Sequence, residues 1–226
     1  MKGFSSRSYE MKLDGSVVTE TDRAIEVYFR EQLPKIVPGA AIWGEEYGFD
    51  EPTEEGLWVI DPIDGTSNFA FGIPLWGITA ALFQNGEMQI GVMSLPCQGI
   101  TVAAAKGHGA WENGVQLPKF RPGKIEPMEL IGIADSSEAF TYPYPGKMRH
   151  FGSFVVESVF FCTGRLRMMT TDGVKLYDCG TGVLAARELG AEIVHHDGRP
   201  MHESEWTKPT PMEPFVFLPP DSGIKL

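Results

Sequence analysis

WVIDPIDGTSNF, Trp58 to Phe69, runs a hydrophobic strand into a turn that carries two aspartates three positions apart. Proline fixes φ, so Pro62 stiffens the turn and holds Asp61 and Asp64 on one side of it, as two carboxylates must be held if they share hard cations. Gly65 lets backbone come close to a ligand. Thr66, Ser67 and Asn68 then open a helical turn, whose free N–H groups and positive end suit an anion. A lone pair of aspartates at this spacing is more often a solvated turn. The buried strand before it and the Gly-Thr after it weigh against that reading here.

Upstream, Thr19 and Asp22 have the spacing of a capping box, and Ile25, Tyr28, Phe29, Leu33 and Ile36 recur at helical intervals, predicting a helix from about Glu20. Pro38 and Gly39 close it. AAIWG then reads as a buried strand that runs into Glu45 and Glu46. Alone, paired glutamates at a strand end are surface charge; beside Asp61 and Asp64 they are a third source of carboxylate.

Downstream, two β-rich runs between Gly77 and Leu95 flank Asn85-Gly86, a hairpin signal, and Asn113-Gly114 marks another turn. The polar, proline-bearing stretch from Pro118 to Pro127 suggests a boundary near 125, dividing the chain into halves 1–125 and 126–226. In the second half MELIGIA and RLRMMTT read as strands, TYPYPGKM as a loop, and GSFVVESVFFCTG as a helix opened by Ser153. A last helix is expected from about Cys179 to Leu189, with Asp178 as its cap and Gly190 as its terminator. Strand AEIVHH follows and turns at Asp197-Gly198; His195, His196 and His202 read as solvated residues around that turn. Helices and strands in mixed order, without a repeat, predict an α+β layered fold.

The chain has 226 residues, 42% of them hydrophobic, and a formal charge of -11. That charge repels nucleic acid backbone and anionic membrane, and it repels phosphate unless cations intervene. Cys97, Cys162 and Cys179 are odd in number and lack CxxC spacing, which speaks against a disulfide framework and a thiolate zinc site. The start carries no signal-peptide pattern and no run is long enough to span a membrane, so a cytoplasmic protein is expected.

GEE, DPIDGTSNF and YDCGTG, in that order, resemble the GEE, DPxDGTxNF and WDxAxG motifs of the inositol monophosphatase family. KLDGSVVTETD resembles the family's upstream segment, so the likeness runs from about Lys12 to Gly198. The resemblance implies a layered αβαβα sandwich of the sugar phosphatase type, here with shortened N- and C-terminal ends. It implies lithium-sensitive hydrolysis of a small phosphate monoester by a water activated with two or three Mg²⁺ ions. Glu45, Asp61, Asp64, Asp178 and the Ile63 carbonyl would be metal ligands. Asp64, Gly65, Thr66, Gly152, Ser153 and Asp178 would contact substrate. Asp22 and Thr66 would orient the attacking water, with Glu45 helping to activate it.

Thr171 stands where the family often has a glutamate that binds a substrate hydroxyl, so weakened discrimination among small phosphate esters is expected, unless Asp172 or the loop around Tyr142 and Tyr144 has taken over recognition. Tyr177 replaces the usual tryptophan. Inositol monophosphate is the leading substrate; histidinol phosphate, fructose 1,6-bisphosphate and a nucleotide 3′-phosphate are alternatives, as is a pseudoenzyme that binds metal or phosphate without turnover. The partners expected are that small phosphorylated substrate and a second copy of the chain in a homodimer.

Overall fold

The computed structural model describes residues 9–12, 17–133, 144–202, 205, 210–224 and 226. An antiparallel pair, β1 (Glu10–Met11) and β2 (Val17–Val18), leads into α1 (Glu20–Ile36). The capping box forms as expected: the Thr19 hydroxyl accepts from the Thr21 and Asp22 amides, and Asp22 Oδ2 accepts from Thr19 N at 3.0 Å. Such a cap stabilises a helix by about 1 kcal/mol. The buried face differs from the predicted stripe, because Tyr28 and Ile36 are more than 60% exposed while Asp22 and Glu26 are fully buried with Leu33. Charge on the inner face of a helix is kept there only where hydrogen bonds satisfy it.

Among the described residues, thirteen strands and three helices follow before the second sheet is complete. The first sheet is built from β3 (Ala41–Gly44), β4 (Gly48–Phe49), β5 (Leu57–Asp64), β6 (Gly77–Gln84), β7 (Glu87–Leu95), β8 (Ile100–Ala105), β9 (Gly109–Glu112) and β10 (Val115–Gln116), with α2 (Thr66–Ala70) between β5 and β6. Its order is β10-β9-β8-β7-β6-β5-β3-β4, antiparallel except for β3 with β5. The predicted tight turns are present, with φ of 55° and 80° at Asn85 and Gly86 and of 48° and 82° at Asn113 and Gly114. Both match the twist that a two-residue hairpin needs.

The second sheet has the order β12-β11-β13-β15-β14, from β11 (Leu130–Gly132), β12 (Lys147–Arg149), β13 (Met168–Thr170), β14 (Glu192–His195) and β15 (Phe215–Leu218). Between the sheets lie α3 (Phe154–Cys162) and α4 (Leu176–Glu188), whose Val155, Val156, Val159, Val183 and Leu184 share one core with Val59, Met93 and Val102 of the first sheet and Met169, Phe215 and Phe217 of the second. α1 covers the far side of the first sheet through Leu33, Ile42, Trp58 and Ile60. On the far side of the second sheet, Ile131, Met168 and Val216 are covered by Ile125, Tyr144, Ile224 and Leu226. The layered α+β sandwich is the expected one, and the described residues form its helix, sheet, helix and sheet layers.

Several local expectations are corrected. The last helix begins at Leu176, two residues before Asp178, so its cap is Lys175 and Asp178 is the third helical residue, accepting from Lys175 N at 2.6 Å. MELIGIA and RLRMMTT shorten to three-residue strands, and the end of the expected TYPYPGKM loop pairs with β11 as β12. Tyr142 lies outside the described residues. His195 is not solvated: it is 3% exposed, with Nε2 2.9 Å from Glu205 and Nδ1 3.2 Å from the Pro214 carbonyl. β14 is an edge strand, but Glu205 and Pro214 return over its end, which local pattern does not reveal. His202 is exposed, as read.

Candidate active site

β3 and β5 run parallel, so their ends deliver side chains to one rim of the sheet. Glu45 directly follows β3, and Asp61 and Asp64 end β5. The β5–β6 ladder pairs Asp61 with Thr79 and Asp64 with Gly77, so Pro62 and Ile63 face a single intervening residue in a bulge. A bulge re-aims side chains, and proline is tolerated there because no ladder bond is lost. Asp61 Oδ1 accepts from Ile63 N at 3.0 Å across the bulge, which fixes the second carboxylate relative to the first.

Asp64 reaches the start of α3. Its Oδ2 accepts from the Ser153 hydroxyl and from Val155 N at 2.5 Å, while Ser153 Oγ caps Val156 N at 3.2 Å. Asp178 enters from the first turn of α4. Glu45, Asp61, Ile63, Asp64, Gly65, Thr66, Gly152, Ser153 and Asp178 all line one cavity of about 290 Å³. Asp22 stands behind it: Thr66 Oγ1 is 3.2 Å from Asp22 Oδ1 and 2.8 Å from the Ile63 carbonyl. Thus the helix-capping carboxylate also holds Thr66.

The rest of the motif is structural support. Gly65 has φ of 85°, and a Cβ there would come 2.9 Å from Ser153 Cβ, so only glycine fits. Asn68 Nδ2 donates to Leu75 O and Phe151 O, both at 2.7 Å, tying α2 to the segment that carries Gly152. Phe69 is buried edge-on against Trp76, with ring centroids 5.1 Å apart. Two supports were missed in the sequence. Glu26, buried in α1, accepts from the backbone of Glu46 at 2.8 Å and of Tyr47 at 3.1 Å, fixing the turn that presents Glu45. Glu157, buried in α3, lines the cavity. Both sit at ordinary helical positions, and no local signal distinguishes them from surface glutamates.

The electrostatics are those of carboxylates crowded without enough counter-charge. Burial, then the charges of Glu45, Asp64 and Asp178, push the Asp61 carboxyl far up. Asp178 is raised by burial and by Asp64 and Glu45. Burial raises Asp64 to about 6 against the opposing bonds from Ser153 and Val155, and Glu157 to about 8. Asp22 is raised by burial despite its bonds from Thr19 and Thr66. Lys12 reaches Glu45 at 3.0 Å and Glu46 at 2.7 Å, which leaves Asp61, Asp64 and Asp178 to one another. Four carboxylates and a backbone carbonyl are hard oxygen donors, and a divalent hard cation among them removes the repulsion that raises their pKa values. The residues fit Mg²⁺.

No helix among the described residues is long and apolar enough to cross a membrane. The family model described as the inositol monophosphatase family matches residues 2–217. The chain is 30% identical over 190 residues to a fructose-1,6-bisphosphatase/inositol-1-monophosphatase of Thermotoga maritima, covering 81% of this chain and 73% of that one. A histidinol-phosphatase of Mycobacterium tuberculosis is 28% identical, covering 84% and 78%. In fold it is similar to a solved IMPase/NADP phosphatase complexed with Mg²⁺ and phosphate, with a TM-score of 0.80 and 21% identity over 96% of this chain and 83% of that one. Motifs, carboxylate site and architecture converge: the chain belongs to the inositol monophosphatase family and is a hydrolase of small phosphate monoesters.

Proposed function

We propose that Glu45, Asp61, Asp64, Asp178 and the Ile63 carbonyl hold two or three Mg²⁺ ions, and that the phosphate of an inositol monophosphate-like ester is hydrolysed in the cavity they line. The convergence of four carboxylates on one cavity, beside a threonine gripped by a buried aspartate, carries this reading. Bound there, the metal supplies charge to offset the phosphate and acidifies water at neutral pH. The protein's own groups do the positioning. Thr66, held by Asp22, orients the attacking water, and Glu45 takes its proton. The amides of Gly65 and Thr66, which line the cavity, receive phosphate oxygens. Gly152 lets the substrate approach, and Ser153 acts chiefly by fixing Asp64.

Phosphate release from inositol 1-phosphate, histidinol phosphate, fructose 1,6-bisphosphate and a nucleotide 3′-phosphate, with Mg²⁺ and with excess chelator, tests the proposal. Turnover is expected only with metal, and full activity in chelator would sink it. Thr66→Ala is expected to lower kcat by about 10- to 100-fold with little change in KM, because it disturbs the water and not the phosphate contacts. Steady-state kinetics on inositol 1-phosphate decides this.

A homodimer is part of the proposal. Tyr9, Phe71 and Ile73 are 42%, 66% and 44% exposed, and the Tyr9 and Phe71 rings pack 5.8 Å apart into an apolar patch that a second copy would bury. Light scattering at micromolar concentration is expected to give twice the chain mass. A monomer mass there counts against the dimer.

A further inference from the structure

A second cavity, of about 270 Å³, lies where α3 ends, between residues 117–121, which follow β10, and residues 162–167, which join α3 to β13. Among the described residues it shares no lining residue with the active-site cavity. Its walls combine two chemistries. Leu117, Phe120 and Leu166 are apolar, while Lys119, Arg121 and Arg167 bring three positive charges against one carboxylate, that of Glu129. Such an excess of cations runs against the net charge of -11 of the whole chain.

The one carboxylate is already shared. Glu129 Oε1 accepts from Arg121 at 2.6 Å, and its Oε2 accepts from Glu126 N at 2.8 Å. Arg167 is the group left over. Its side chain is 10% exposed, and one guanidinium nitrogen, Nη2, donates to Gly123 O at 3.0 Å. Its Nε stands 3.6 Å from Glu129 Oε2, near enough for charge attraction but too far for a hydrogen bond. Among the described residues that buried Nε has no hydrogen-bond partner. Burial depresses the guanidinium's pKa; Glu129 opposes that effect and Arg121 adds to it.

Nothing nearby cancels the charge. Lys119 donates to the Glu188 carbonyl, a neutral partner, and Arg165 beside the cavity is paired with Glu112 at 3.2 Å. The end of α3 contributes about half a negative charge, and its Val159, Phe160 and Phe161 carbonyls are already bonded to amides of residues 163–166. The cavity therefore stays net positive. Buried guanidinium donors are normally satisfied, so an unpaired one on the wall of a cationic cavity calls for an acceptor that comes with a ligand.

We propose that this cavity is a second binding site, for a small organic acid whose oxyanion meets Arg167 and Arg121 while its hydrocarbon body lies against Leu117, Phe120 and Leu166. Guanidinium groups bind such oxyanions through charge-assisted, forked hydrogen bonds. The exposed Lys119 adds charge that favours a dianion. The site is separate from the metal centre, whose bare carboxylates repel an anion when no metal is bound.

The test titrates benzylphosphonate into metal-free protein from which the chelator has been dialysed, and follows the heat of binding. This probe carries an apolar ring and, above neutral pH, a doubly charged oxyanion, and it has no ester to hydrolyse. One site is expected, with Kd of about 1 mM or tighter. Benzyl alcohol, which lacks the anion, and sulfate, which lacks the ring, are expected to bind at least about tenfold more weakly. Arg121→Gln and Arg167→Gln each remove a charge-assisted bond and should weaken benzylphosphonate by about tenfold or more. Arg121 is exposed, so Arg121→Gln carries the test alone if Arg167→Gln does not fold. No binding of benzylphosphonate at about 10 mM, equal binding of benzyl alcohol or sulfate, or undiminished binding in the variants would overturn the site.

Discussion

Asp64→Asn is expected to reduce kcat/KM by about a thousandfold or more, while raising the melting temperature of the metal-free protein. The first effect follows from removing one charge from a cluster that must neutralise metal and, through it, phosphate; each lost ligand of this kind costs several kcal/mol of transition-state stabilisation. The asparagine oxygen still accepts from Ser153 and Val155, so the start of α3 keeps its anchor. Asp61→Asn and Asp178→Asn should act in the same direction.

The second effect has a definite sign. Burial and Glu45 raise Asp64 to about 6, above its ordinary 3.8. Between those values the folded state binds more protons than the unfolded state, so metal-free stability falls as pH rises through the window. The shifts of Asp61 and Asp178 extend the loss to higher pH. Saturating Mg²⁺ should therefore stabilise the protein more at pH 7.5 than at pH 5. Calorimetry in chelator and in Mg²⁺ at both values measures this. Equal stabilisation at the two, or a normal kcat/KM for Asp64→Asn, would place the metal elsewhere.

Much of this site was legible because its parts are local. Pro62 forces a bulge, Gly65 a left-handed turn, and the chain positions of Asp61, Ile63, Asp64 and Thr66 follow from those two residues. Asn85-Gly86 and Asn113-Gly114 fixed two hairpins by the same local logic. What escaped was tertiary. Asp178 was read as a cap because Lys175 is not a residue that announces one, and the buried Leu176 and Tyr177 before it form the first turn only by packing into the core. His195 lies on an edge strand, yet distant residues cover it. The bond of the Ser153 hydroxyl to Asp64, 89 positions away, likewise has no local signal. Periodicity could not reveal that the inner face of α1 carries Asp22 and Glu26 in place of Tyr28 and Ile36.

Glu26→Ala is the prediction that follows from that inner face. The Glu26 carboxylate is fully buried beneath the end of β3, where Oε2 accepts from Glu46 N at 2.8 Å and Oε1 accepts from Tyr47 N at 3.1 Å and from Arg30 Nε at 3.0 Å. Its approach is so close that a Cβ on residue 44 would lie 2.1 Å from Oε1, which explains why the first residue of GEE is glycine. Truncation would leave two amides and a half-buried guanidinium without their acceptor. Breaking a buried charged network in this way costs about 3 to 5 kcal/mol. It would also free the turn that presents Glu45, so kcat/KM should drop by about tenfold or more even where the variant remains folded, because small misplacements of a catalytic group are costly. Gly44→Ala attacks the same contact from the strand side and should lower stability and activity together. Urea titration and kcat/KM for both variants give the answer. A Glu26→Ala protein within about 1 kcal/mol of the parent, with unaltered kinetics, would mean that the turn holds Glu45 without help from α1.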